Sequence, residues 1–166
     1  MGSQVISDFE EMIIGSNTEK IVRSSDISVI VVKTDSDKFK FKNLVFASNF
    51  KEENKVVFGK FLNFAKQFNS KIHLLKVNTI GKFESSSVTK EKIKEFIKDF
   101  DVSKSTINVY NDTSVVKGII NFGREIDADL IALSTHGRSG LSNLFNGSIT
   151  KSLSKNVLRP IITFKL

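Results

Sequence analysis

A short apolar run, Leu130-Ile131-Ala132-Leu133, passes into a polar segment punctuated by Gly137 and Gly140, and Gly147-Ser148 then opens a helical pattern. This order of strand, glycine loop and helix start constrains the fold more than any other stretch of the chain. The first N–H groups of a helix have no partner inside it, and aligned peptide dipoles add about half a unit of positive charge there. Glycines in front of such a helix let the backbone close around an anion, because no Cβ stands in the way. A plainer role is open to the same residues: glycines turn chains after parallel strands, and Ser148 is a natural N-cap for the amide of Thr150 or Lys151. Gly-x2-Gly alone is unspecific, whereas the full spacing Gly137-x2-Gly140-x6-Gly147-Ser148 between a strand and a helix is far more specific.

The string resembles the C-terminal nucleotide-binding signature of the universal stress protein family, in which a strand, a Gly-x2-Gly loop, a Gly-Ser/Thr and a helix precede the last strand. The resemblance runs in order through residues 43–166, and a fragment of it recurs before residue 34. It implies an α/β domain of the adenine nucleotide alpha hydrolase-like kind, a doubly wound five-stranded parallel sheet in the order 3-2-1-4-5, with ATP bound at the strand ends.

The recurrence is an internal repeat. Residues 15–33 align without gaps on residues 147–165 at a constant offset of 132, with Gly15, Ser16, Thr18 and Lys33 identical to their partners. The apolar stretch Val29 to Val32 meets Ile161 to Phe164, while Val5 and Asp8 stand opposite Gly137 and Gly140, so the first copy has no glycine loop. Residues 1–33 thus resemble the helix and last strand that end a preceding domain of a tandem protein. Residues 34–42 (TDSDKFKFK) read as a polar linker, and residues 43–166 as the complete domain.

Along that domain, 43–48 is a first strand and 50–68 an amphipathic helix with Val57, Phe58, Phe61, Leu62, Ala65 and Phe68 on one face. A phenylalanine stripe at this spacing is core rather than a base-stacking platform. Residues 71–77 form the second strand, 78–89 a loop, and 90–100 a charged helix with Ile93, Phe96, Ile97 and Phe100 inward. The third strand is 106–110. Asp112 or Thr113 is placed to cap the next helix, which carries Val115, Val116, Ile119, Ile120, Phe122 and Ile126. The fourth strand is 130–133 and the fifth 160–165, where Pro160 suits a first position that needs no ladder amide. Alternating strands and helices give a parallel sheet with right-handed crossovers, and ligands lie beyond the strands' carboxyl ends where the order reverses. The loops after Ser48 and Leu133 are therefore expected to face each other.

By resemblance, Ala47, Ser48 and Asn49 contact the nucleoside and Val77 lines the adenine pocket. Gly137, Arg138, Gly140, Gly147, Ser148 and Ile149 surround the phosphates of ATP, with Mg2+ as a companion ion. Family members that bind ATP usually carry Asp where this chain has Asn49. An aspartate only accepts hydrogen bonds from ribose hydroxyls, whereas asparagine both donates and accepts, so the contact is weakened or rearranged. Arg138 is either a phosphate ligand or a solvated loop residue. Lys76 and His73, in the second strand, are expected in structural or surface roles, and His73 and His136 lack the clustered carboxylates of a metal site.

Ser139, His136 and Asp129 raise serine catalysis, but a nucleophile elbow needs Gly-x-Ser-x-Gly and Leu141 fills the last position. No Walker lysine follows the glycines. The readings that remain are an ATP-binding, non-catalytic stress-response or signalling module, an interaction module of the same fold without nucleotide, and a slow ATP hydrolase.

Absence of cysteine excludes disulfides and thiolate sites. No run of eighteen apolar residues occurs, and Asp8, Glu10 and Glu11 stand where a signal peptide would be basic and then apolar, so a cytoplasmic protein is expected. The net charge of +7 is unevenly placed, with −1 in residues 1–42 and +8 in residues 43–166, but the lysines are interleaved with acids as in EKIKEFIK, which argues for a solvated surface and against nucleic acid.

Residues 28–33 are expected to add to 160–165 as an antiparallel edge strand. From Lys33 the start of the first strand is about three strand spacings or roughly 14 Å away, and nine linker residues span up to roughly 30 Å. Such a strand would cover an exposed edge. The short first helix, with Ile13, Ile14, Ile21 and Val22, has no complete sheet of its own to cover, and this apolar patch is expected to draw two chains into a homodimer.

Overall fold

The computed structural model describes residues 28–31, 40–135 and 159–165. The expected first helix, most of the linker, and Gly137, Arg138, Gly140, Gly147, Ser148 and Ile149 lie outside the described residues. The strands are β1 (Val29–Val31), β2 (Asn43–Ala47), β3 (Lys71–Asn78), β4 (Ser105–Asn111), β5 (Leu130–Thr135) and β6 (Ile161–Lys165). They form one six-stranded sheet in the order β1-β6-β5-β2-β3-β4. Strands β2 to β6 are mutually parallel, which is the 3-2-1-4-5 arrangement. Strand β1 adds to the outside of β6 antiparallel, with Ile30 opposite Ile162.

Helices α1 (Lys55–Gln67), α2 (Ser86–Ile97) and α3 (Val115–Glu125) connect the strands. Two apolar layers hold them. On one face Phe46, Phe58 and Phe61 are wholly buried, together with Leu44, Leu74 and Ile93. Ring centroids lie 5.0 Å apart for Phe46–Phe58, 5.2 Å for Phe46–Phe61 and 5.0 Å for Phe58–Phe100. Each such side chain contributes about 2–3 kcal/mol through area removed from water. On the opposite face Val45, Leu75, Val77 and Leu133 pack against Ile119 and Phe122 of α3.

Several boundaries differ from the sequence reading, each for a local reason. Helix α1 begins at Lys55 rather than at Phe50, preceded by a 3-10 turn over Glu52–Asn54, because Phe50 takes φ 55°, which no right-handed helix can include. Phe68 is not inward: it follows the last turn, is 45% exposed, and rests on Phe41 and Phe64. Phe41 therefore packs against the domain although its segment reads as linker. Helix α2 starts four residues early because Ser85 caps it, accepting from the Val88 amide at 3.4 Å. The cap of α3 is Ser114, which accepts from the Lys117 amide at 3.2 Å. Asp112 instead accepts from the Thr113 amide at 2.6 Å and from Asn121 Nδ2 at 2.9 Å.

Candidate functional site

The carboxyl ends of β2 and β5 lie side by side, with Ala47 level with Leu133. Strand β2 is where the order changes direction, with β3 and β4 to one side and β5 and β6 to the other. A crevice at such a point is where open α/β sheets take ligands. Four of the expected site residues, Ala47, Ser48, Asn49 and Val77, are found at this rim.

Ser48 continues the ladder, its amide donating to Leu75 O at 3.2 Å, while its Oγ accepts from the Phe50 amide at 3.0 Å. That bond helps turn the chain through the left-handed conformation of Phe50, whose ring is held near Phe46 and, at 5.4 Å, against Phe96. An aromatic residue in this region is strained, and the conformation persists because the surrounding core fixes it. Asn49, at the tip, is exposed. Its Oδ1 accepts from the Lys51 amide at 3.0 Å and from Asn54 Nδ2 at 2.8 Å. The acceptor of Asn49 is thus committed, and its Nδ2 donor makes no hydrogen bond among the described residues.

Val77 and Ala47 are buried, each 8% exposed. Val77 stands against α3 where that helix has Gly118: a Cβ there would meet Val77 Cγ1 at 2.5 Å. The next residue, Asn78, pins the loop to α2 by donating from Nδ2 to Glu84 O at 2.8 Å, while its buried Oδ1 has no partner among the described residues.

Beside Asn49, on the face of α1 and α2, a groove of about 750 Å3 opens between residues 49–55 and 82–96. Lys76 forms part of its wall, with Lys51, Lys82, Lys92 and the ring of Phe83, which is 72% exposed. Burial pushes the Lys76 ammonium below its ordinary pKa; Glu84 opposes this, and Lys92, Lys82 and Lys51 add to it. Lys76 is therefore neither a core residue nor a freely solvated one. Its position was legible: it shares parity along β3 with Ile72 and Leu74, which face the phenylalanine core. Asn54, 1% exposed and bound to Asn49, gave no sequence signal of its own.

His73 is structural. It is 6% exposed, its Nδ1 pairs with Thr106 Oγ1 at 3.0 Å, and desolvation, then the charge of Lys71, lowers its pKa. Asp129 sits at the opposite end of the sheet, where Oδ2 accepts from the Lys42 and Asn43 amides, both at 2.8 Å. It is a strand length, roughly 20 Å, from the carboxyl rim, which removes it from any catalytic grouping there. Among the described residues no three His, Asp or Glu side chains form a metal cluster, and no helix is long and apolar enough to cross a membrane.

The model of the universal stress protein family matches residues 40–165. A universal stress protein of Methanocaldococcus jannaschii is 25% identical over 119 residues, covering 63% of this chain and 70% of that protein. Among solved structures, a universal stress protein from Archaeoglobus fulgidus superposes with a TM-score of 0.68 at 20% identity, over 99% of this chain and 59% of its own. The chain thus spans less than two thirds of that larger structure. A universal stress protein solved in complex with cAMP gives a TM-score of 0.54 at 11% identity, over 76% of this chain and 97% of its own. At these identities the structural likenesses are likenesses of fold.

Proposed function

Because the chain belongs to the universal stress protein family, we propose that it is an adenine-nucleotide-binding, non-catalytic stress-response module that takes ATP at the carboxyl rim of β2 and β5. The observation that carries this reading is the juxtaposition of the Ser48-Asn49 turn with the end of β5, from which the Gly137-to-Ser148 string departs in sequence. In this reading Ala47, Ser48 and Asn49 meet the nucleoside and Val77 backs the adenine. Gly137, Arg138, Gly140, Gly147, Ser148 and Ile149 enclose the phosphates, with Mg2+ as counter-ion. The described half fits a nucleoside: with Asn49 Oδ1 held by Lys51 and Asn54, its Nδ2 is left as the donor for a ribose oxygen. A solved family member in complex with cAMP supports the ligand class.

Bound nucleotide would stabilise one conformation by mass action, which a partner then reads. The setting proposed is cytoplasmic, and the assembly a homodimer held by the apolar residues Ile13, Ile14, Ile21 and Val22. Monomeric light scattering at working concentration would contradict the dimer.

A thermal-shift titration with ATP and magnesium tests the nucleotide reading. Saturation at 100 times Kd is expected to add about 2.7 kcal/mol of stability, and no shift at millimolar ATP would defeat it. The commitment of the Asn49 acceptor favours one second reading, an interaction module of the same fold that carries no nucleotide.

A further inference from the structure

Asn49 belongs to two places at once, since the residue assigned to the ribose also lines the groove that contains Lys76. Among the described residues Lys76 makes no hydrogen bond or ion pair. Its nearest electrostatic counterweight, Glu84, is already bonded to Lys92 and, at 2.9 Å, to Thr89 Oγ1. The other glutamates of the groove are likewise engaged: Glu52 with Lys55, Glu91 with Lys94 and Glu95 with Lys98. Lys51 and Lys82 have no ion pair among the described residues. The groove therefore presents a half-buried ammonium and two further uncommitted cations beside Asn49, whose Oδ1 is held and whose Nδ2 is left to donate. A partly desolvated charge without a partner is costly, and an incoming anion relieves that cost.

Resting on the nucleotide reading above, we propose that this groove takes a phosphate carried on the ribose itself, so that the preferred ligand is an adenosine nucleotide phosphorylated at the 2′ or 3′ oxygen as well as at the 5′ end. A carboxylate at position 49 would accept bonds from free ribose hydroxyls and repel a phosphate there. The amide at position 49 removes that repulsion and donates instead. Dinucleotide-binding folds separate the same two ligands in the same way, with a carboxylate for the free hydroxyl and a nearby cation for the phosphate. Lys76 is the charge that receives the phosphate, and Lys51 and Lys82, which line the same groove and act on Lys76 electrostatically, add to its pull.

Calorimetric titration of the full chain with adenosine 5′-monophosphate, adenosine 3′,5′-bisphosphate and adenosine 2′,5′-bisphosphate tests this. At least one bisphosphate is expected to bind about tenfold more tightly than the monophosphate, as a charge-assisted contact provides, and comparison of the two bisphosphates identifies the oxygen. In Lys76→Met the preference should fall to near parity, and Asn49→Asp should reverse it. Should Lys76→Met fail to fold, Lys51→Ala, on the exposed rim, is expected to cut the preference about threefold. Equal affinity for all three ligands, or a preference that survives in the lysine variants, overturns the ribose-phosphate site and leaves nucleotide binding standing. No binding of any adenosine nucleotide, ATP included, overturns both.

Discussion

Ile30 and Ile162 lie directly opposite each other in the antiparallel β1–β6 pair, and they are also equivalent positions of the sequence repeat, 132 residues apart. Val29 faces Thr163 and Val31 faces Ile161, so the pairing is symmetric about the isoleucines, as if two copies of one strand met across a local two-fold axis. The self-complementary edge that an isologous dimer would use is met here within a single chain.

Breaking that pair should loosen the whole flank. In Ile30→Pro the fixed φ and the ring do not suit the extended backbone of a three-residue strand. Amide hydrogen exchange along β6 is expected to accelerate about tenfold, while β3 is unaffected. Unchanged exchange at residues 161–164 would show that β1 does not protect them.

The contact between Gly118 and Val77 predicts a non-additive pair. Gly118→Ala gains helix propensity of about 1 kcal/mol, yet its Cβ would fall 2.5 Å from Val77 Cγ1, so a net loss of about 1–3 kcal/mol is expected by urea denaturation. Adding Val77→Ala should recover much of the loss due to the clash, giving a coupling of at least about 0.5 kcal/mol in a double-mutant cycle.

Asp129→Ala should destabilise the domain without disturbing nucleotide affinity, because its carboxylate ties the Lys42 and Asn43 amides at the amino end of the sheet. Loss of two charge-assisted bonds is expected to cost about 2–3 kcal/mol in denaturant. A selective loss of ligand binding at unchanged stability would contradict this placement.

His73 gives stability a defined dependence on acid. Burial, then Lys71, lowers its pKa in the folded chain, so the unfolded chain binds the proton more readily. The stabilising contribution is whole above the unfolded value near pH 6.5 and is lost as pH falls below it toward the folded value. The melting temperature of His73→Gln, compared with that of the parent between about pH 5 and 7, should fall less steeply on acidification; parallel slopes would assign the acid sensitivity elsewhere.

The sheet was legible because each buried strand is a compact apolar run and each helix keeps one apolar stripe, patterns that survive any choice of loop. What escaped were places where a single backbone angle or hydroxyl decides. Phe50 carries no hint of its left-handed turn, since aromatic residues seldom adopt one, and the helix start was misplaced accordingly. Ser114 caps the helix for which Asp112 and Thr113 offered equally good oxygens, and Ser85 starts its helix ahead of the apolar stripe. At the rim, Ser48 and Asn49 are reached through family resemblance, whereas Lys76, expected in a structural or surface role, lines a groove, and its parity along β3 is the signal that places it on the inward side. Asn54 was invisible because it matters only through its bond to Asn49, a tertiary fact no spacing rule encodes.

That bond reaches further than the loop. Asn54 is the N-cap residue of α1, its side chain grips Asn49, and farther along the same helix Phe61 stands edge-on to Phe164 of β6, 6.4 Å between centroids. The tip of the first loop is therefore tied to a helix that packs on Phe46 of the central strand β2 as well as on Phe164 of the outer strand β6. One continuous helix thus joins the carboxyl rim of the sheet to its outer flank, so the turn at Asn49 and the packing of Phe164 are set by the same element.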